Sequence, residues 1–239
     1  MGTSKGYDAP TSPQWRELKT TVTKSANSGA TGGIAEKVVS KYINATRSND
    51  IAHPSSPYSA AISAGRMLVP FFYSVSVNGL SKTLDNIGIG NLSGKTITEI
   101  KLILMDYFCS SSSSLQDIDA RKAFSDLFDE LFEDANDYTD IERILSEKLS
   151  NDEWLMYFAS FLGHFVFQSF CRTFYEKLLK KAGEEKASNY LNDIKDYIFA
   201  RITALRQNRD IADIDWAGAE GKQIIVNICN DVLDIFGGE

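Results

Sequence analysis

Two groups of residues in this 239-residue chain have the types and spacing to do chemistry on their own account. The first is the start of the chain, MGTSKGYDAPTSPQW. Gly2 is small enough to allow removal of Met1, which leaves a glycine amine on a polar leader. An α-amine with a pKa of about 7.7 to 8.0 is roughly 10 to 20 per cent neutral at pH 7, against under about 0.1 per cent for a lysine near 10.4. The terminus is therefore the best amine nucleophile the chain offers. Acylation by myristate wants Ser or Thr at the sixth position, where this chain has Gly6. The second group, Gly94-Lys95-Thr96 at a helix start, has the look of a phosphate-binding loop. Its spacing fails, because the required first glycine falls on Ile89 while the glycines are Gly88 and Gly90. A capped helix start, with Ser93 or Thr96 as the cap, is the better reading.

Composition narrows the classes of function. The net charge of −7 excludes non-specific nucleic-acid binding as the main task, which needs a basic surface to displace counterions. The charge is uneven: residues 1–50 carry seven Lys/Arg against four Asp/Glu, and residues 51–150 carry eight against fourteen. An acidic middle suits either a basic partner or a solvated helix face. Cys109, Cys171 and Cys229 lie far apart among apolar residues and read as small buried hydrophobes in a reducing compartment. With only His53 and His164 besides, no metal site can be assembled, and no cofactor is expected. No basic segment followed by an apolar run opens the chain, so the expected location is the cytoplasm.

The elements that would position these residues are helices. A flexible tail over residues 1–12 and one all-helical bundle over residues 13–239, with about eight to ten helices, are expected. Ser12 and Pro13 make an N-cap and first-turn pair for a helix through Trp15, Leu18 and Val22. A second helix runs from Ile34 to about Thr46, followed by a loop over 47–57. From Tyr58 to Leu84 the pattern is helical but crossed by Pro70, which predicts a kink or break there. Within it, Phe71 to Val77 is the one run with any strand character. Thr96 to Phe108 is helical and stops at the serine run Ser110 to Ser114. Phe124, Leu127, Phe128, Leu131 and Phe132 recur at three and four with acids on the opposite face, and the later stripes Tyr190 to Leu205 and Ile224 to Ile235 repeat the pattern. Trp154 to Cys171 has no formal charge and the length of a membrane span, yet carries Ser160, His164, Gln168 and Ser169. It reads as the central helix of a bundle.

Two resemblances bear on function. Arg47 and His53, with five residues between them in RSNDIAH, resemble the Arg-to-His signature of HEPN-type helical ribonucleases. There the pair handles the 2′-hydroxyl and the scissile phosphate. Here His53 precedes Pro54 in an expected loop, which fits an exposed loop histidine better. The opening MGTSKGYDAPTSPQW and the segments GLSKTLDNIGIGNLSGK (79–95), FCRTFYE (170–176) and RDIADIDWAGAEG (209–221) together resemble the QatB family, the small helical component of the four-gene Qat anti-phage systems of bacteria. The resemblance implies a non-enzymatic protein with no catalytic residues of its own. It implies partners: an ATPase, a QueC-like enzyme and a TatD-like nuclease. Because QueC enzymes activate a deazaguanine carboxylate with ATP and attack it with an amine, it implies Gly2 as a modification site, with Thr3, Ser4, Lys5 and Gly6 recognised around it. Asp215, Trp216, Gly218 and Gly221 are the expected contact with the ATPase, although Trp216 suits equally well a packing role between the last two helices.

Overall fold

A computed structural model describes residues 10–47, 50–109, 114–149, 154–203 and 218–237. These form ten α-helices and, among the described residues, no strand. They are α1 (Pro13–Ser25), α2 (Gly33–Thr46), α3 (Ser59–Asn78), α4 (Leu80–Asn86), α5 (Ile97–Phe108), α6 (Leu115–Leu131), α7 (Tyr138–Lys148), α8 (Trp154–Ala182), α9 (Glu184–Thr203) and α10 (Ala219–Gly237).

The helix starts follow local chemistry. Ser12 accepts from the Trp15 amide at 3.4 Å with Pro13 in the first turn, so an otherwise orphaned amide is satisfied. Thr96 and Glu99 close a reciprocal capping box at α5, which fixes the Gly94-Lys95-Thr96 segment as a helix start. Ser114 and Asp117 do the same at α6.

Pro70 does not break its helix. It lies inside α3 with Phe71 and Phe72 continuing as buried helical residues, so this run has no strand character. Position 70 is half-buried and the residue four before it, Arg66, is exposed, which leaves the carbonyl that Pro70 cannot satisfy on the wetter side of the helix. The break falls instead at Gly79, where φ is 80°, and separates α3 from α4. Gly183, with φ 83°, turns α8 back into α9 in the same way.

α8 is the axis of the bundle. Its 29 residues pack most extensively on α6 and α9, and also on α1, α3 and α10. Phe158, Phe161, Phe165, Phe170 and Phe174 are all buried along it, and Phe124 of α6 lies 4.5 Å from Phe161, ring centre to ring centre. Gly163 lets α9 approach closely: a Cβ there would stand 2.5 Å from Ile202 Cδ1. Trp154 to Cys171 is therefore wrapped by protein on most sides. Among the described residues, the one helix with the length and hydropathy of a membrane span is α3, half of whose apolar window is buried in the same core.

Candidate functional site

The chain enters its first helix at exposed residues. Pro10, Thr11 and Ser12 are all exposed, and α1 holds them from below: Lys19 Nζ donates to the Pro10 carbonyl at 3.1 Å and Arg16 Nε to the Thr11 carbonyl at 3.0 Å. The expected modification and recognition residues Gly2, Thr3, Ser4, Lys5 and Gly6 lie outside the described residues, as do Asp215 and Trp216. Of the remaining two expected contact residues, Gly221 is buried in α10 and Gly218 is half-buried, its carbonyl accepting the Lys222 amide at 3.3 Å. Near them a cleft of about 490 Å³ is lined by Asp50, Arg66, Lys222, Gln223 and Asn230.

Arg47 and His53 are each engaged separately. The Arg47 guanidinium pairs with Asp234 and donates to Asn230 Oδ1 at 2.9 Å, both on α10. His53 sits in a loop as expected, with Nδ1 accepting the Ser55 amide at 3.2 Å and lying 2.8 Å from the Ser55 hydroxyl. This is the geometry of a side chain closing its own turn. The three cysteines are free. Cys229 is buried, while Cys109 and Cys171 are only half-buried; burial pushes the Cys109 thiol up to about 11 and the Cys171 thiol up to about 12.

A polar seam that sequence reasoning did not anticipate runs between α6 and α8. Ser160, His164, Gln168 and Arg172 recur every four residues on α8 and meet Glu130, Asp126 and Asp119 of α6 in reverse order. At the closed end, Arg172 grips Asp119 with Nε at 3.1 and 2.9 Å and Nη2 at 2.7 Å. Burial pushes the Asp119 carboxyl above the usual carboxylate range, with Arg172 opposing it. The same guanidinium reaches Ser169 Oγ at 3.2 Å, which also accepts from Tyr42 Oη at 2.8 Å.

At the open end the seam becomes a cleft of about 460 Å³ lined by Asp126, Asp129, Glu130, Glu133, His164, Lys195 and Phe199. The His164 side chain is only 5% exposed. Its Nε2 lies 3.4 Å from Glu130 Oε2, which also accepts from Ser160 Oγ at 3.0 Å. The hydrogen bond from His164 holds the Glu130 carboxyl below its ordinary value. Phe199 covers the imidazole with ring centres 4.6 Å apart, and the Lys195 ammonium sits 5.9 Å from the Phe199 centroid. Among the described residues, no group of three or more His, Cys, Asp or Glu side chains is arranged to hold a metal ion. The sequence signal was the spacing of Asp126, Asp129, Glu130 and Glu133 opposite the phenylalanine stripe, but nothing in the periodicity tells which buried residues face it.

No curated protein and no solved structure matches the chain. A family model does, over residues 52–236, and it describes the Qat anti-phage system associated protein QatB. The matched stretch contains the segments 79–95, 170–176 and 209–221 and leaves out the opening of the chain and Arg47. On that match, which spans most of its length, the chain belongs to the QatB family of anti-phage system proteins.

Proposed function

We propose that this protein is a non-enzymatic, cytoplasmic adaptor of a Qat anti-phage system, one that docks on the system's ATPase and presents its N-terminal glycine for modification. Membership of the QatB family carries the reading. The entry geometry supports it: Gly2 lies eight residues before exposed Pro10, a span that reaches at most about 28 Å when extended. That is enough to enter the active site of a separate enzyme without moving the bundle.

The chemistry is amide formation. A QueC-like partner adenylates the carboxylate of a deazaguanine with ATP and releases pyrophosphate. The neutral Gly2 amine attacks the acyl carbon, AMP leaves, and the amine gives up a proton as the amide forms. Thr3, Ser4, Lys5 and Gly6 present the nucleophile, and Asp215, Trp216, Gly218 and Gly221 meet the ATPase. A TatD-like nuclease completes the set of partners.

Intact-mass analysis of protein co-expressed with the QueC-like enzyme tests the reading. The expected result is one deazaguanine adduct on Gly2, absent in Gly2→Leu, which retains Met1. An unmodified mass in the presence of active enzyme refutes the modification. Loss of ATPase co-purification in Trp216→Ala, with thermal unfolding unchanged, tests the docking. RNA cleavage by the purified protein that disappears in His53→Ala would replace the adaptor reading with a nuclease.

A further inference from the structure

The cleft between α3, α10 and the loop over residues 50–52 is positively charged in a chain whose acids outnumber its bases by 32 to 25. Arg66 and Lys222 line it, both are exposed, and among the described residues neither side chain makes an ion pair or a hydrogen bond. Packing sets the two on one cavity. A Cβ at Gly65 would stand 3.2 Å from Ile225 Cγ2, so α3 and α10 touch one residue from Arg66 and three from Lys222. The one carboxylate on the cleft wall, Asp50, accepts the Ala52 amide at 3.0 Å and so helps to close its own turn. The rest of the wall is held by the protein itself: Arg47 ties the chain before the loop to Asn230 of α10 at 2.9 Å, and Asn230 donates to the Val226 carbonyl at 3.1 Å. Two cations on one cavity repel each other, and an anion placed between them removes that cost.

We propose that this cleft binds a small phosphomonoester of nucleotide size, its phosphate held between Arg66 and Lys222. A phosphate suits this pair better than a carboxylate does. The planar guanidinium donates to two phosphate oxygens and the ammonium meets the remaining charge, whereas a single carboxylate leaves one cation unmatched. The volume of about 490 Å³ falls within the range of small-molecule sites and leaves room for more than the phosphate group. Ile51, Ala52 and Val226 supply an apolar wall for the body of the ligand. Arg66 and Lys222 lie inside the matched family region, and the site uses no residue of the leader and none of the expected ATPase contacts, so it goes beyond the adaptor reading and stands or falls separately from it.

The test is isothermal titration calorimetry of the full chain with AMP, adenosine and inorganic phosphate. The expected result is saturable binding of AMP, competition by inorganic phosphate, and no binding of adenosine at the same concentrations. Arg66→Gln and Lys222→Gln should each weaken AMP binding about tenfold, as loss of a charge-assisted hydrogen bond implies. Both residues are exposed, so the variants should unfold at the parent's temperature. Lys82→Gln on α4, beyond the end of α3 that lies roughly 18 Å from Arg66, removes the same charge elsewhere and should leave binding unchanged. Failure of both AMP and phosphate to bind, adenosine binding as tightly as AMP, or an equal loss in Lys82→Gln would each overturn the proposal. So would a polyglutamate peptide that binds more tightly than AMP, which would assign the cleft to an acidic segment of a protein.

Discussion

Replacing Arg172 by methionine isolates what the closed end of the seam contributes. Methionine keeps most of the apolar stem that packs along α8 but removes the guanidinium donors that Asp119 uses, leaving it only the weaker Ser169 hydroxyl. The Asp119 side chain is 1% exposed, and its three contacts to Arg172 lie between 2.7 and 3.1 Å. Stripping one partner from a buried pair costs about 3 to 5 kcal/mol, because the remaining charge stays desolvated. For a domain of this size the melting temperature should fall by roughly 6 to 20 °C. Two controls give the number its meaning. Arg172→Met with Asp119→Leu should recover most of the loss, since an apolar pair of similar volume avoids the desolvation. The deficit should also narrow in acid. Asp119 has its folded pKa raised, so its favourable contribution is fully present below the ordinary Asp range and is lost as the pH climbs through the folded value. Removing Arg172 raises that value further, and protonation at low pH then relieves the stranded charge. Urea melts and thermal melts followed by circular dichroism measure all three. A deficit under about 1 kcal/mol, the range of an exposed pair, would show that Asp119 is effectively hydrated and refute the reasoning.

Two other outcomes follow from the packing. Gly163→Ala should destabilise by about 1 to 3 kcal/mol in urea melts, since its Cβ would meet Ile202 Cδ1 at 2.5 Å and Ile198 Cγ2 at 3.1 Å, whereas Gly237→Ala, whose nearest neighbour is 3.7 Å away, should be close to neutral. At pH 7.5 none of the three thiols should alkylate quickly with iodoacetamide: the Cys109 and Cys171 thiols are raised to about 11 and 12, and the Cys229 thiol is raised by full burial, so peptide mapping should find label on Cys229 only after unfolding.

How much of this was legible in the sequence depends on what kind of signal a residue sends. Helix starts were legible wherever the cap is local: Ser12 with Pro13, and Thr96 with Glu99, act within one turn. Core stripes were legible because burial imposes a period of 3.6, as Phe124, Leu127, Phe128 and Leu131 show. The expected break is absent at Pro70 because its cost depends on whether the abandoned carbonyl can meet water, which is a tertiary fact. The seam was illegible for a related reason. Ser160, His164, Gln168 and Arg172 sit four apart, yet α8 is apolar on nearly every side, so their stripe is hidden among buried phenylalanines. Only the packing partner reveals that they share a face.

The seam also shows how one helix pair changes character along its length. Along α6 the carboxylates become steadily wetter, with side-chain exposures of 1% at Asp119, 32% at Asp126 and 49% at Glu130. Their α8 partners change in step, from a bidentate guanidinium at Arg172, to an amide at Gln168, to an imidazole at His164. An arginine grips one carboxylate through two of its nitrogens at once, as Arg172 does with Asp119. A histidine between two carboxylates does not: one nitrogen faces Glu130 and the other stays unbonded opposite Asp126. Had position 164 been an arginine, the open end would be another lock. Because it is histidine, the same antiparallel register holds α6 to α8 less tightly at this end, where single contacts from His164 and Gln168 replace the three that Arg172 makes to Asp119.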